Sequence, residues 1–210
     1  MSGHVLSVNA GRAAQLSVRR GRPVMSGIVK GPVDGPVAVG PLGLDGDAQA
    51  DLRVHGGPDK AVYAYAIEDI RWWESELGRT LPPGMFGENL TVAGLDVTGA
   101  VIGERWLVGS AELEVCQPRL PCFKLGLRFD DPLMVERFAH ALRPGAYLRV
   151  IEAGELAAGD EVEIADRPVH GVDIALVARA LLGDDAVLAR AAQAHALPAP
   201  LAAWLRDKNV

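Results

Sequence analysis

Cys122 carries the most chemistry in this sequence. It lies in Cys116-Gln117-Pro118-Arg119-Leu120-Pro121-Cys122-Phe123-Lys124-Leu125. Proline fixes its own φ and restricts the residue before it, so two prolines make this loop stiff. Arg119 and Lys124 flank the thiol, and nearby cations favour the thiolate. A thiolate is a nucleophile, a sulfur carrier or a soft-metal ligand. A small hydrophobe in a turn is the reading without chemistry. Cys116, six residues earlier at a strand end, reads as core.

Two further segments carry groups that bind ligands. In Val54-His55-Gly56-Gly57-Pro58-Asp59-Lys60-Ala61, paired glycines let backbone N–H groups approach an anion, and Lys60 adds a point charge. A Gly-rich hairpin with an exposed lysine is the plain alternative. In Gly84-Met85-Phe86-Gly87-Glu88-Asn89-Leu90-Thr91, the Asn89 amide both donates and accepts, which suits a heterocycle edge as well as ordinary turn chemistry. Gly43-Leu44-Asp45-Gly46-Asp47 lacks the spacing of a calcium loop and reads as a turn, with Asp47 an orienting group. No CxxC, HExxH or nucleophile elbow occurs, which removes the motif-based case for a zinc site or a serine hydrolase.

The elements that must position these groups are mostly strands. The 210 residues are 49% hydrophobic and only 5% aromatic, with 24 glycines and 14 prolines. That mixture predicts many turns and short strands. Val5–Val8, Val37–Val39, Ala61–Ala66, Asn89–Val92, Arg105–Val108, Tyr147–Ile151 and Val162–Ile164 are strand-like. Ala111, Leu113 and Val115 alternate with polar residues, a half-buried strand leading into the cysteine loop. Ala66, Ile70, Trp73 and Leu77 form one helical stripe ended by Gly78, and a short helix is expected at 133–142. Beyond Arg167-Pro168 the chain turns Ala-rich. Asp173 and Asp184 are candidate caps for two helices, and Pro198 and Pro200 introduce a third segment. The expected organisation is a β domain over 1–166 and a three-helix appendage over 167–210. A net charge of −6 argues against a nucleic-acid binder. Hydropathy gives no membrane span or signal peptide, and two cysteines make no disulfide framework, so a cytoplasmic setting is expected.

Taken in order, these motifs resemble the MOSC domain family, named for the C-terminal domain of molybdenum cofactor sulfurases, and within it the small bacterial YiiM-type group. The matching segments are Gly43–Asp47, His55–Tyr63, Phe86–Leu90, Gln117–Leu125 and Gly145–Val150. The resemblance spans nearly the whole chain and implies a mainly β, barrel-like fold with a few helices and a C-terminal three-helix domain. It also implies molybdenum cofactor binding, with Cys122 as the molybdenum ligand and catalytic residue. His55, Gly56, Gly57, Lys60, Asn89, Arg119, Lys124 and Arg149 become the cofactor-binding candidates, with Arg53 a further cation. The implied activity is reduction of N-hydroxylated compounds, including base analogues such as 6-hydroxylaminopurine. An external flavoprotein or iron–sulfur reductase would supply the electrons. Persulfide transfer from Cys122 and a non-catalytic cofactor-binding module are the alternatives.

Overall fold

The computed structural model describes residues 2–49 and 56–208. Its strands are β1 (Ser2–Ala10), β2 (Ala14–Arg19), β3 (Arg22–Ser26), β4 (Gly31–Pro32), β5 (Val37–Gly40), β6 (Gly43–Leu44), β7 (Val62–Ala66), β8 (Leu90–Ala93), β9 (Arg105–Val108), β10 (Ala111–Pro118), β11 (Ala146–Glu152), β12 (Gly154–Leu156) and β13 (Glu161–Asp166). The α-helices are α1 (Ile67–Leu77), α2 (Phe123–Phe129), α3 (Met134–Ala141), α4 (Ile174–Leu181), α5 (Leu188–Ala191) and α6 (Ala199–Lys208).

Strands pair in the order β13-β9-β10-β11-β7-β8-β1, and β1 pairs back to β13. The expected barrel is therefore a closed one of seven strands, which leaves no free edge around its wall. β7 and β8 are parallel neighbours. Parallel strands need a long crossover, and α1 provides it. The left-handed Gly78 (φ 61°) closes α1, as its sequence position predicts.

β7 divides two cores. All five of its residues are buried. Val62, Ala64 and Ala66 point into a mainly aliphatic cluster, with Trp106, that fills the barrel. Tyr63 and Tyr65, on the opposite face, join an aromatic cluster with Trp73, Phe86, Phe129 and Phe138. The period-2 alternation of a strand produces this division. The Tyr63 and Tyr65 hydroxyls donate to the Pro144 and Arg143 carbonyls, each at 2.8 Å. Gly145 permits that approach. Its φ is +63°, and a Cβ there would stand 2.6 Å from the Ala64 carbonyl oxygen and the Tyr65 ring.

After β13 the backbone is tied to the barrel's 97–104 loop. Ile102 N–H donates to the Val172 carbonyl and Ile174 N–H to that of Ala100, both at 2.9 Å. Asp173 caps α4 by accepting from Leu176 N–H at 2.7 Å. Asp184 instead accepts from Ala186 N–H, two residues on, and so heads a 3-10 turn rather than an α-helix. Ile174, Val177, Leu188, Ala191 and Leu205 belong to the same apolar cluster as the barrel interior. One contiguous core thus serves the barrel and α4 to α6.

The sequence reading expects short β segments over 1–45 but does not place every element, among them β6, β12 and the two described next. α2 begins immediately after Cys122, where a loop was expected, and the β2–β3 hairpin stands as a separate two-stranded ribbon.

Candidate active site

β10, β11 and β7 are neighbours in the barrel wall, so the segments at their ends converge. A cleft of about 590 Å³, mouth included, opens there. Lys60, Asn89, Arg119, Cys122 and Lys124 all line it. These five come from three sequence motifs that β7, β8 and β10 bring together. Ser26, Gly27, Ile28 and Lys30 supply another wall, with Tyr63, Phe86 and Tyr147 as aromatic surface.

Cys122 precedes α2 in extended conformation (φ −130°, ψ 166°) and is half-buried. Its carbonyl accepts from Leu125 N–H at 2.9 Å, which fixes the loop-to-helix corner. Cys116 is fully buried at a register shift between β10 and β11. Its sulfur lies 3.0 Å from the Asp59 carbonyl oxygen, and burial pushes its thiol up to about 12. The expectation that Cys116 is a core residue is met.

Arg119 is 6% exposed. Its guanidinium donates to the Phe86 carbonyl and sits 5.1 Å from the Tyr63 ring centroid and 5.7 Å from that of Phe138. Among the described residues no carboxylate pairs with it. Glu88 holds the Phe86 carbonyl in place indirectly. Its buried carboxylate accepts from Gly84 N–H (2.6 Å), Phe86 N–H (3.0 Å) and the Thr91 hydroxyl (3.0 Å), clamping the 84–88 turn. Burial raises the Glu88 carboxyl, and those hydrogen bonds oppose the rise.

Lys30 is the opposite case. Its ammonium pairs with Asp47, and both side chains are nearly buried. Burial lowers its pKa, while Asp47 opposes that shift. Asp47 also accepts from Gly11 N–H at 3.0 Å and the Asn89 amide at 2.9 Å. The orienting role expected of Asp47 thus has definite partners.

Four cofactor-binding candidates sit differently from the sequence reading. Asn89 lines the cleft, but its amide is spent on the protein itself. Its Oδ1 accepts from Tyr63 N–H, and its Nδ2 donates to Asp47 and the Asn9 carbonyl. It positions the wall; both Nδ2 hydrogens are engaged, and Oδ1 keeps one lone pair. Arg149 does not line the cleft. It pairs with Asp59 at 2.7 Å and Glu114 at 2.6 Å, which neutralise it. Gly56 and Gly57 are not among the described residues that line the cleft, and Gly57, with φ +93°, heads the 3-10 turn Pro58–Lys60. That turn delivers Lys60, whose pKa burial lowers and the nearby Cys116 and Asp59 raise. His55 and Arg53 lie outside the described residues.

The sequence reading missed Lys30, Tyr63 and Tyr147 as cleft residues. A compositional signal existed for the first. The chain has four lysines against seventeen arginines, and three of the four, Lys30, Lys60 and Lys124, line this cleft. An ammonium is a compact charge that a guanidinium does not replace. Tyr147 gave no such signal, because a strand tyrosine is ordinary. Its ring lies 5.1 Å from that of Tyr63, and its hydroxyl makes no hydrogen bond within the described residues. Burial and the neighbouring thiols hold its phenol above the usual range, against the pull of Arg119.

Known proteins share this architecture. Residues 51–163 match the MOSC domain. The uncharacterized protein YflK of Bacillus subtilis is 39% identical over 170 residues, 81% of this chain and 76% of that protein. A Gibberella moniliformis protein named reductase is 32% identical over 93% of this chain, which spans only 35% of that longer protein. The crystal structure of YiiM from Geobacillus stearothermophilus superposes with a TM-score of 0.81 at 29% identity, covering 99% of this chain and all of that one. Among the described residues no helix is long and apolar enough to cross a membrane.

Proposed function

This chain belongs to the MOSC domain family, and on that premise we propose that it is a molybdenum-cofactor-dependent reductase of N-hydroxylated compounds. Arg119 carries the reading. A guanidinium nearly removed from water, facing rings and a carbonyl but no carboxylate among the described residues, costs several kcal/mol in solvation unless a counter-charge arrives. The cleft is therefore built to receive an anion. The pterin phosphate and dithiolene of the molybdenum cofactor are anionic, and thiolate sulfur suits a metal that already carries sulfur ligands. Cys122 would hold the metal. Arg119, Lys60 and Lys124 would hold the anionic groups. When bound, that cofactor supplies the redox couple for N–O cleavage.

The chain's own residues do the rest. Tyr63, Phe86 and Tyr147 give the cleft apolar walls that exclude water and accept a flat heterocycle. Tyr147 keeps its proton at neutral pH and presents it at Oη. It is a proton donor for a reaction in which a hydroxylamine, two electrons and two protons become an amine and water. The Lys30–Asp47 pair fixes the wall opposite and contributes almost no net charge. The redox name of the fungal relative supports this class of chemistry. Electrons would come from a separate flavoprotein or iron–sulfur protein.

The test supplies reduced methyl viologen and 6-hydroxylaminopurine to protein purified from molybdenum-replete cells. The account expects adenine in proportion to bound molybdenum. Bound molybdenum without adenine would make the protein a cofactor-binding module. A molybdenum-free protein with a persulfide on Cys122 would make it a sulfur carrier.

A further inference from the structure

We infer that the β2–β3 hairpin is a docking arm for a small acidic electron-transfer protein that feeds the cleft, an inference that rests on the reductase reading above. Between Ala10 and Asp34 the sequence has Arg12, Arg19, Arg20, Arg22 and Lys30 and no carboxylate. Lys30 is turned inward to Asp47. The four arginines are exposed, and none forms an ion pair among the described residues. A chain of net charge −6 thus sets three of these cations, Arg19, Arg20 and Arg22, on one two-stranded ribbon, with Arg12 just before it.

The turn of the ribbon adds an independent observation. Arg20 (φ 51°) and Gly21 (φ 73°) are both left-handed, the arrangement of a type I′ hairpin turn. Asn, Asp or Gly suits the first of these positions. An arginine there costs on the order of 1 kcal/mol in backbone strain. Folding alone does not favour a cation at the tip; binding an anionic surface does.

The surroundings match a protein partner. Val18 is 59% exposed, Met25 43% and Phe123 45%. The Arg19 guanidinium lies 5.3 Å from the Phe123 ring centroid, beside a groove that runs along α2 to Asp130 and Asp131. Arg137 pairs with Asp131 at that far end. Arginine, methionine and phenylalanine exposed together are typical of protein interfaces. Location completes the argument. β3 runs directly into Ser26, Gly27, Ile28 and Lys30, which line the cleft, and Phe123 follows Cys122. A partner seated on the arm stands at the cleft's rim. An acidic one is steered there while the rest of the surface repels it.

The experiment uses the full chain with an acidic [2Fe–2S] ferredoxin, reduced by its own reductase, and methyl viologen as the parallel donor. The triple variant R19E/R20E/R22E should raise the ferredoxin KM about tenfold or more and flatten its salt dependence. Viologen-driven turnover, molybdenum content and Tm should stay at wild-type values. R20G, which relieves the turn and removes one charge, should shift the KM by about two- to threefold. An unchanged ferredoxin KM in the triple variant would overturn the proposal, as would equal losses with both donors, which would put the arm in the substrate site. Calorimetric titration of ferredoxin reads the contact without turnover. If neither donor supports reduction, the reductase reading fails, and arginine-independent ferredoxin binding in that titration separately defeats the docking arm. Tighter binding of a single-stranded oligonucleotide than of ferredoxin would reassign the arm and contradict it.

Discussion

Arg119 and Arg149 stand near the two ends of the cysteine loop and the strand beside it, and they do opposite work. Arg149 is half-exposed and held by Asp59 and Glu114, two carboxylates for one guanidinium. Arg119 is buried and meets rings and a carbonyl. The first completes its charge balance within the fold. The second leaves a charge for something else to balance. A cation's role is thus set by whether the fold supplies its counter-ion, not by the residue type or by its distance from a motif.

Substitutions should separate the two regions. The largest effect belongs to the cleft's proton donor. Tyr147→Phe should lower turnover by about a hundredfold with molybdenum content unchanged. Its pH profile tests the role: burial raises the phenol above its ordinary range. Wild type should therefore hold its rate through neutral pH and lose it only as the phenol ionises. A profile that falls with an ordinary neutral-range group would assign the proton elsewhere.

Arg119→Met comes next. It should cut cofactor retention by about tenfold or more, while the Tm of cofactor-free protein stays level or rises, because an unbalanced buried charge is removed. Arg149→Met should do the reverse. Asp59 loses this partner while Glu114 keeps only Arg105, stability falls by about 1–2 kcal/mol, discounted for their partial exposure, and cofactor content persists. Denaturant unfolding and metal analysis on the same preparations read both halves. Parallel losses in the two variants would dissolve the distinction.

The sequence makes one of these regions legible and leaves the other obscure, for physical reasons. The barrel strands show because alternation is local: Ala111, Leu113 and Val115 face inward as their spacing predicts. The α1 stripe shows for the same reason. Asp47 could be suspected as an orienting group, but its partners Lys30 and Asn89 are far away in sequence. The assignments of Asn89 and Arg149 depend on tertiary partners, Tyr63 N–H for one and Glu114 for the other. Glu114 also departs from simple alternation. It is 8% exposed on a position expected to face water, because Arg105 and Arg149 cover it. The β2–β3 hairpin was not placed individually, although Ala14, Leu16 and Val18 alternate with Gln15, Ser17 and Arg19; its turn is Arg20-Gly21 rather than Asn-Gly, and Pro23 interrupts β3.

The smallest predicted effect compares the two thiols. In native protein at pH 8, iodoacetamide should modify Cys122 alone, since Cys116 is buried and its thiol is pushed up to about 12. Under denaturant both should react. Equal labelling of the native protein would mean that the β10–β11 wall opens readily.

Those same two cysteines give the most direct test of the central claim, that the cleft holds a molybdenum cofactor through Cys122. Molybdenum should be measured per chain in wild type, Cys122→Ser and Cys116→Ser, purified side by side from molybdenum-replete cells. The account predicts near-stoichiometric metal in wild type, retention in Cys116→Ser and loss of most of it in Cys122→Ser. Wild-type molybdenum content in Cys122→Ser would contradict it.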